Sequence, residues 1–201
     1  MTSVRRGAVR AMTAASRGPL RPVSKHAMRL LFNQVAPRWE RIRADPSYRN
    51  NFLAGLQQCP MTRPPHHILD IACGTGIAAR ALLDTYPDAE ILGLDISPAM
   101  LDIAQQMVPE AVFVEGSSFD LPFADQSFDL VCSLDGMFDI DEMVRVCAPG
   151  GSIYIAYTHE NVPIYQPLEK LRQSLENAGA QASTHIGPGH YVWAVRSPAG
   201  P

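Results

Sequence analysis

The sequence predicts an α/β fold: an open sheet of seven strands, mostly parallel with an antiparallel C-terminal hairpin, helices on both faces, and an N-terminal helical cap. Three observations carry that prediction. From Ile68 onward short apolar runs alternate with amphipathic segments, the pattern of a parallel sheet whose crossovers are helices. A glycine-rich turn, Cys73-Gly74-Thr75-Gly76, directly follows the first of these runs. The last two runs are separated only by Gly187-Pro188-Gly189, too little chain for a crossover, so they must pair as an antiparallel hairpin.

Taken in order, residues 1–26 read as a disordered basic tail, 27–60 as the helical cap and 61–201 as the main domain. From His26 to Trp39 apolar residues recur at helical spacing until Pro37 interrupts them, and Tyr48 to Gln58 forms a second helical stretch. Cys59 to His67, carrying Pro60, Pro64 and Pro65, is the linker that ends the cap. Strands are expected at 68–72, 91–95, 111–115, 128–133, 152–157, 181–186 and 190–195, and helices at 76–85, 98–107, 138–147 and 166–178. Gly116 to Gln126 is too rich in turn residues for a good helix. A chain of 201 residues with 46% hydrophobic content supports one core of ordinary size, since a second would leave both thin.

The net charge of -3 conceals an asymmetry. Arg5, Arg6, Arg10, Arg17, Arg21, Lys25, Arg29 and Arg38 all precede the first acidic residue, Glu40, so the remainder carries nine basic side chains against 20 acidic ones. Such a body does not bind nucleic acid through bulk electrostatics. Cys59, Cys73, Cys132 and Cys147 are far apart, with no Cys-x-x-Cys pair and no histidine at ligand spacing, which points to a reduced, cytoplasmic protein without a metal site. No apolar run approaches the roughly 18 residues of a membrane span. The Arg-rich, Ser-containing opening shares its composition with organellar transit peptides, so import is the alternative to a simple tail. Oligomeric state is not legible.

In an open α/β sheet the ligand crevice lies beyond the carboxyl ends of the strands, where strand order reverses. The candidates there are Asp70, Ala72, Gly74 and Gly76 after the first strand, Asp95 after the second, Ser117, Ser118 and Phe119 after the third, and Ser133, Leu134 and Asp135 after the fourth. Asp70 sets the ligand's charge. A phosphate-binding turn wants bare N–H groups and positive potential, whereas a carboxylate before the glycines calls for a cation. S-adenosylmethionine fits, with a sulfonium and an ammonium at one end and an adenosine whose ribose hydroxyls Asp95 would accept from. The competitor is a nicotinamide dinucleotide, because Gly74-x-Gly76-x-x-Ala79 followed by Asp95 formally satisfies the dinucleotide fingerprint. Against it, Asp70 beside a pyrophosphate costs a repulsion on the order of kcal/mol at an effective dielectric of about 20.

The ordered motifs ILDIACGTGIAAR (68–80), GLDISPAMLDIA (93–104), EGSSFDLPFADQSFDLV (115–131) and VCAPGGSIYIAY (146–157), with the final hairpin, resemble the class I S-adenosylmethionine-dependent methyltransferases. The likeness is to the ubiquinone/menaquinone-biosynthesis type that methylates small molecules. It implies a Rossmann-like sheet, S-adenosyl-L-methionine as cofactor, and a small organic acceptor. It also implies that Asp70 and the backbone of Gly74 to Gly76 hold the methionine end, that Asp95 takes the ribose, and that Ile96 and Met100 lie against the adenine. Phe32 and Trp39 resemble the aromatic positions of a helix that closes over the donor, ordinary core anchoring being the alternative. Two departures stand out: Gly116-Ser117-Ser118 replaces a common Gly-Asp-Ala, and the segment from Val131 to Pro149 is short and lacks a histidine often found there.

Methyl transfer is an in-line displacement that needs positioning more than a dedicated nucleophile. His159, just beyond the fifth strand, is the candidate general base, with an exposed loop histidine as the competing reading. Asp135 and Tyr157 are weaker candidates, and Asp135 is alternatively a cap for the helix near Phe138. His66, His67 and His190 read as structural or surface residues. A second class of function stays open, a donor-binding relative with little or no turnover that serves as a partner subunit.

Overall fold

The computed structural model describes residues 21–198 apart from Ala44, Thr62 and Pro163. Two helices, α1 (Arg21–Arg43) and α2 (Ser47–Leu56), precede the sheet domain. There β1 (His67–Ile71), α3 (Ile77–Thr85), β2 (Glu90–Asp95), α4 (Pro98–Met107) and β3 (Val112–Glu115) form the first half. The second half is β4 (Phe128–Leu134), α5 (Ile140–Val146), β5 (Cys147–Tyr157), α6 (Leu168–Asn177), β6 (Ala180–Ile186) and β7 (His190–Arg196). The seven strands lie in the order β3-β2-β1-β4-β5-β7-β6. All neighbours are parallel except β7, which runs antiparallel to both β5 and β6. Because β1 pairs with β2 on one side and β4 on the other, strand order reverses between β1 and β4, which opens the crevice above their C-terminal ends.

Alternation along the strands divides the core in two. Leu69, Ile71, Val131, Ile153 and Ile155 pack toward α5 and α6. Ile68, Leu130, Cys132 and Tyr154 pack toward α2 and α3, and Asp70 falls on this second face by the same period. Three aromatic side chains of the sheet fasten α2 from below. The Tyr154 hydroxyl donates to the Phe52 carbonyl (2.8 Å), the Tyr191 hydroxyl to Asn51 (2.7 Å) and the Trp193 indole to Gly55 (2.9 Å). Gly55 is required by this approach, since a Cβ there would collide with the rings of Tyr154 and Tyr191.

The differences from the sequence expectation have local causes. Helix α1 starts at Arg21, inside the stretch read as a tail, whose residues 1–20 lie outside the described residues. It also continues through Pro37 to Arg43, although an interior proline costs about 3 kcal/mol. Packing on both sides of the break compensates: Ala36 is fully buried, and Phe32 meets Trp39 edge-on at 6.2 Å. Strand β1 stops at Ile71 because Ala72 turns into the left-handed region (φ 56°). Helix α5 starts at Ile140, where the Asp139 carboxylate accepts from the N–H groups of Asp141 and Glu142. Strand β5 begins at Cys147, five residues early, with an irregularity opposite Phe128–Leu130 that absorbs Pro149 and Gly150. No helix among the described residues is long and apolar enough to cross a membrane.

Candidate functional site

A cavity of about 410 Å³ sits over the C-terminal ends of β1, β2 and β4, within the usual size of a small-molecule site. Its floor is the β1–α3 turn. Gly74 (φ 54°) and Gly76 (φ 87°) both need the left-handed region that glycine adopts without strain. Two bonds pin the turn to β2: the Cys73 N–H donates to the Leu94 carbonyl (3.1 Å) and the Gly74 N–H to Asp95 Oδ2 (2.9 Å). The other oxygen of Asp95 accepts from the Ser97 N–H at 2.9 Å, so one carboxylate joins the glycine turn to the start of α4.

The electrostatics of this floor are acidic. Asp70 is fully buried and lines the cavity. Burial, and next the charge of Asp70, push the thiols of Cys73 and Cys132 far up, which keeps both neutral. Burial likewise raises the Asp95 carboxyl above its ordinary value, against the downward pull of the N–H groups of Ser97, Gly74 and Ile96. Asp135 completes the acidic side. It has φ 47°, and its carboxylate accepts from the Thr158 N–H (2.9 Å) and hydroxyl (2.7 Å). It therefore does not cap the helix near Phe138; Asp139 does, because only that residue directly precedes the first turn.

The roof is α1. Its N-terminal half lies toward β3, where Met28 packs against Phe119 and Met137, Arg29 pairs with Glu115 at 3.0 Å, and Lys25 with Asp120 at 3.6 Å. Its middle is tied to α4 through Asn33, whose side-chain oxygen meets the Ser97 hydroxyl at 2.7 Å and the Ala99 N–H at 3.4 Å. Its C-terminal half crosses the glycine turn, where the Trp39 indole nitrogen is 3.5 Å from the position a Cβ on Gly74 would take.

Of the residues singled out by sequence, Asp70, Ala72, Gly74, Asp95, Ile96, Met100, Ser117, Ser118 and Phe119 line this cavity. Gly76, Ser133 and His159 are not among its lining residues. Gly76 instead permits close packing of α3 on α4, its Cβ position lying 3.2 Å from Val108 and 3.4 Å from Ala104. The Ser133 hydroxyl is buried beneath the floor and donates to the Ile71 carbonyl at 2.9 Å. His159 is exposed on the loop after β5. The Ser117 hydroxyl accepts from the Phe119 N–H at 3.3 Å, shaping its own turn. Sequence reasoning did not single out Asn33, Arg38, Tyr48, Met137, Val162 and Ile164, of which all but Asn33 line the cavity. The signals for the roof were the helical stripe Met28, Leu31, Val35 and the aromatic positions Phe32 and Trp39, both of which line the cavity.

Acidic floor and apolar walls together fit an S-adenosylmethionine-like ligand. Asp70, Asp95, Ile96, Met100 and Phe119 all line the cavity, and these two carboxylates and three apolar side chains are the residues that could hold such a ligand. A pyrophosphate fits poorly beside buried Asp70.

Comparison with known proteins agrees with this geometry. Residues 68–151 match a family model described as a methyltransferase domain. A demethylmenaquinone methyltransferase of Thermotoga maritima is 34% identical over 124 residues, covering 61% of this chain and 54% of that protein. Its counterpart in Deinococcus radiodurans is 31% identical over 163 residues, covering 72% of this chain and 66% of its own length. The chain thus spans between about half and two thirds of these curated relatives. Among solved structures, a chain from the complex between the Haloferax volcanii Trm112 methyltransferase activator and a methyltransferase superposes with TM-score 0.71 and 21% identity. That superposition covers 84% of this chain and 98% of the other, and at such identity the likeness is one of fold. The chain resembles the class I S-adenosylmethionine-dependent methyltransferases in sequence and in fold, and S-adenosyl-L-methionine is the cofactor of that class. Within that class its sequence resembles the demethylmenaquinone methyltransferases.

Proposed function

We propose that this protein transfers a methyl group from S-adenosylmethionine to a small organic acceptor. The observation that carries the reading is the buried carboxylate of Asp70 on the floor of an otherwise largely apolar cavity, roofed by α1. When bound, S-adenosylmethionine supplies a methyl group activated by its sulfonium. The chain's own part is binding, orientation and exclusion of water. Asp70 faces the cationic end, Asp95 holds the glycine turn while its remaining lone pairs take the ribose hydroxyls, and Ile96, Met100 and Phe119 hold the adenine. Roof and floor then fix the line of attack, a contribution that reaches about 7–11 kcal/mol in favourable cases.

No general base is assigned. His159 lies outside the cavity lining, and both oxygens of Asp135 are already engaged by Thr158. An acceptor whose own acidity supplies the nucleophile suits such a site, and a demethylated quinol, the acceptor class that the relatives' names suggest, is the first to test. The acceptor enters on the side of Leu31, Leu134, Val162 and Ile164, an apolar flank. A second reading, donor binding without turnover, is motivated by the short segment after Ser133 and by Ser117 standing where many relatives carry an Asp. Incubation with S-adenosylmethionine and a panel of quinols, phenols and amines, read as S-adenosylhomocysteine released, separates the two. Acceptor-dependent release supports the enzyme, whereas donor binding with none across the panel supports the binder.

A further inference from the structure

The loop from β5 to α6 supplies two of the apolar side chains on the acceptor flank, Val162 and Ile164, and it is held at both ends. At its start the Asp135 carboxylate fixes Thr158 through the N–H (2.9 Å) and the hydroxyl (2.7 Å). At its far end Tyr165, which is not among the cavity's lining residues, lodges against two strands instead. Tyr157 of β5 and His190 of β7 are cross-strand partners, and the Tyr165 ring meets both edge-on, with centroids at 5.1 and 5.6 Å. Its hydroxyl lies 3.4 Å from His190 Nδ1, a long contact, so the two ring contacts supply most of the grip. The slot is itself fixed to the helical cap: Asn51 of α2 donates from Nδ2 to the Pro188 carbonyl at 2.9 Å, two residues before His190. The hold on Tyr165 passes back to the cavity wall through the backbone. Its N–H donates to the Val162 carbonyl at 3.1 Å, and Ile164 is its direct neighbour in the chain.

We propose that Tyr165, seated between Tyr157 and His190, is a positioning residue for the methyl acceptor: it sets where Val162 and Ile164 stand, and so tunes acceptor affinity while leaving donor affinity alone. The inference rests on the small-acceptor reading above and gives that reading a determinant outside the cavity. The two ligands are separable because Asp70, Asp95, Ile96 and Met100 lie on or beside β1, β2 and α4, which share none of these contacts.

The test compares the full chain with Tyr165→Ala, Tyr165→Phe and His190→Ala. Each is titrated calorimetrically with S-adenosylhomocysteine and then, in that complex, with 1,4-naphthoquinol kept reduced; turnover of the same quinol with S-adenosylmethionine gives kcat and KM. Tyr165→Ala loses both ring contacts and is expected to weaken quinol binding and raise its KM about tenfold, with kcat and S-adenosylhomocysteine affinity within about twofold of the wild type. Tyr165→Phe keeps both rings in contact and should match the wild type within about twofold. His190→Ala removes one side of the slot, and it keeps the test open should Tyr165→Ala fail to fold. It should raise the quinol KM about threefold and add little when combined with Tyr165→Ala, because the two residues act as one unit. Equal weakening of S-adenosylhomocysteine and quinol would mean a general loosening of the fold and would overturn the proposal. So would unchanged quinol affinity in both alanine variants. A wild type that binds S-adenosylhomocysteine but not the quinol would instead sink the acceptor reading on which the proposal rests.

Discussion

Asp95→Ala offers a sharp quantitative test, because the structure gives this carboxylate two separate duties. Oδ2 accepts from the Gly74 N–H and Oδ1 from the Ser97 N–H, both at 2.9 Å. The two donors are not equivalent once the carboxylate is gone. Gly74 lines the cavity, so water can replace its partner, whereas Ser97 is fully buried and its N–H would stay unpaired. A buried donor left alone costs about 1–3 kcal/mol and a rehydrated one less, so the total loss should be about 2–4 kcal/mol. For a domain of this size each kcal/mol moves Tm by about 2–4 °C, which places the variant about 4–16 °C lower. Asp95→Asn keeps one acceptor oxygen and should lose about half as much. Thermal unfolding followed by circular dichroism reads both, and donor affinity should collapse further than stability because the glycine turn loses its anchor. An Asp95→Ala protein that melts within a degree of the wild type would refute the view that this carboxylate organises the turn.

Other outcomes follow from the same geometry. The Asp95 carboxyl is raised by burial, so the folded state holds its proton more tightly than the unfolded chain. Wild-type stability should therefore fall relative to Asp95→Asn as pH rises from the ordinary value of 3.8 through the raised native one, checked by unfolding at stepped pH. His159→Ala should leave kcat/KM unchanged with any accepted substrate, since the side chain is exposed and away from the cavity. All four cysteines are buried and burial pushes the Cys59 thiol up to about 12, so a disulfide-exchange reagent should label none in the native protein and all on unfolding. The roof's ion pairs, Arg29–Glu115 and Lys25–Asp120, involve partly exposed groups worth about 0.2–1 kcal/mol each. Raising salt should accordingly quicken proteolysis within α1 while moving Tm only slightly.

What could be read from the chain was what its local pattern encodes. Seven strands follow from period and turn chemistry, with ends within one residue except the start of β5, and the antiparallel β6–β7 pair follows from three intervening residues. The fate of Pro37 was not legible, since the helix survives it through contacts such as Phe32 with Trp39 and the burial of Ala36. Ser133 and Ile71 are 62 residues apart in sequence, and nothing local says that the hydroxyl turns under the floor to meet that carbonyl. The rule that strand ends face the crevice fails for β5, none of whose residues lines the cavity, and His159 lies two residues past Tyr157, after Asp135 has drawn Thr158 inward. A lone polar residue on an amphipathic helix carries no mark of what it faces. For that reason Asn33, which fastens the roof to α4, and Arg38, which stands over the turn, emerged only from the fold.

The central claim is that buried Asp70 selects a cationic adenosyl donor. Titration of the wild type and of Asp70→Asn with S-adenosylmethionine, alongside a nicotinamide dinucleotide, tests it most directly. At a separation of about 5 Å and an effective dielectric of about 20, one charge pair is worth about 3 kcal/mol, so the variant should bind S-adenosylmethionine about a hundredfold more weakly. Neither protein should bind the dinucleotide. Undiminished S-adenosylmethionine binding by Asp70→Asn, or dinucleotide binding by the wild type, would contradict the account.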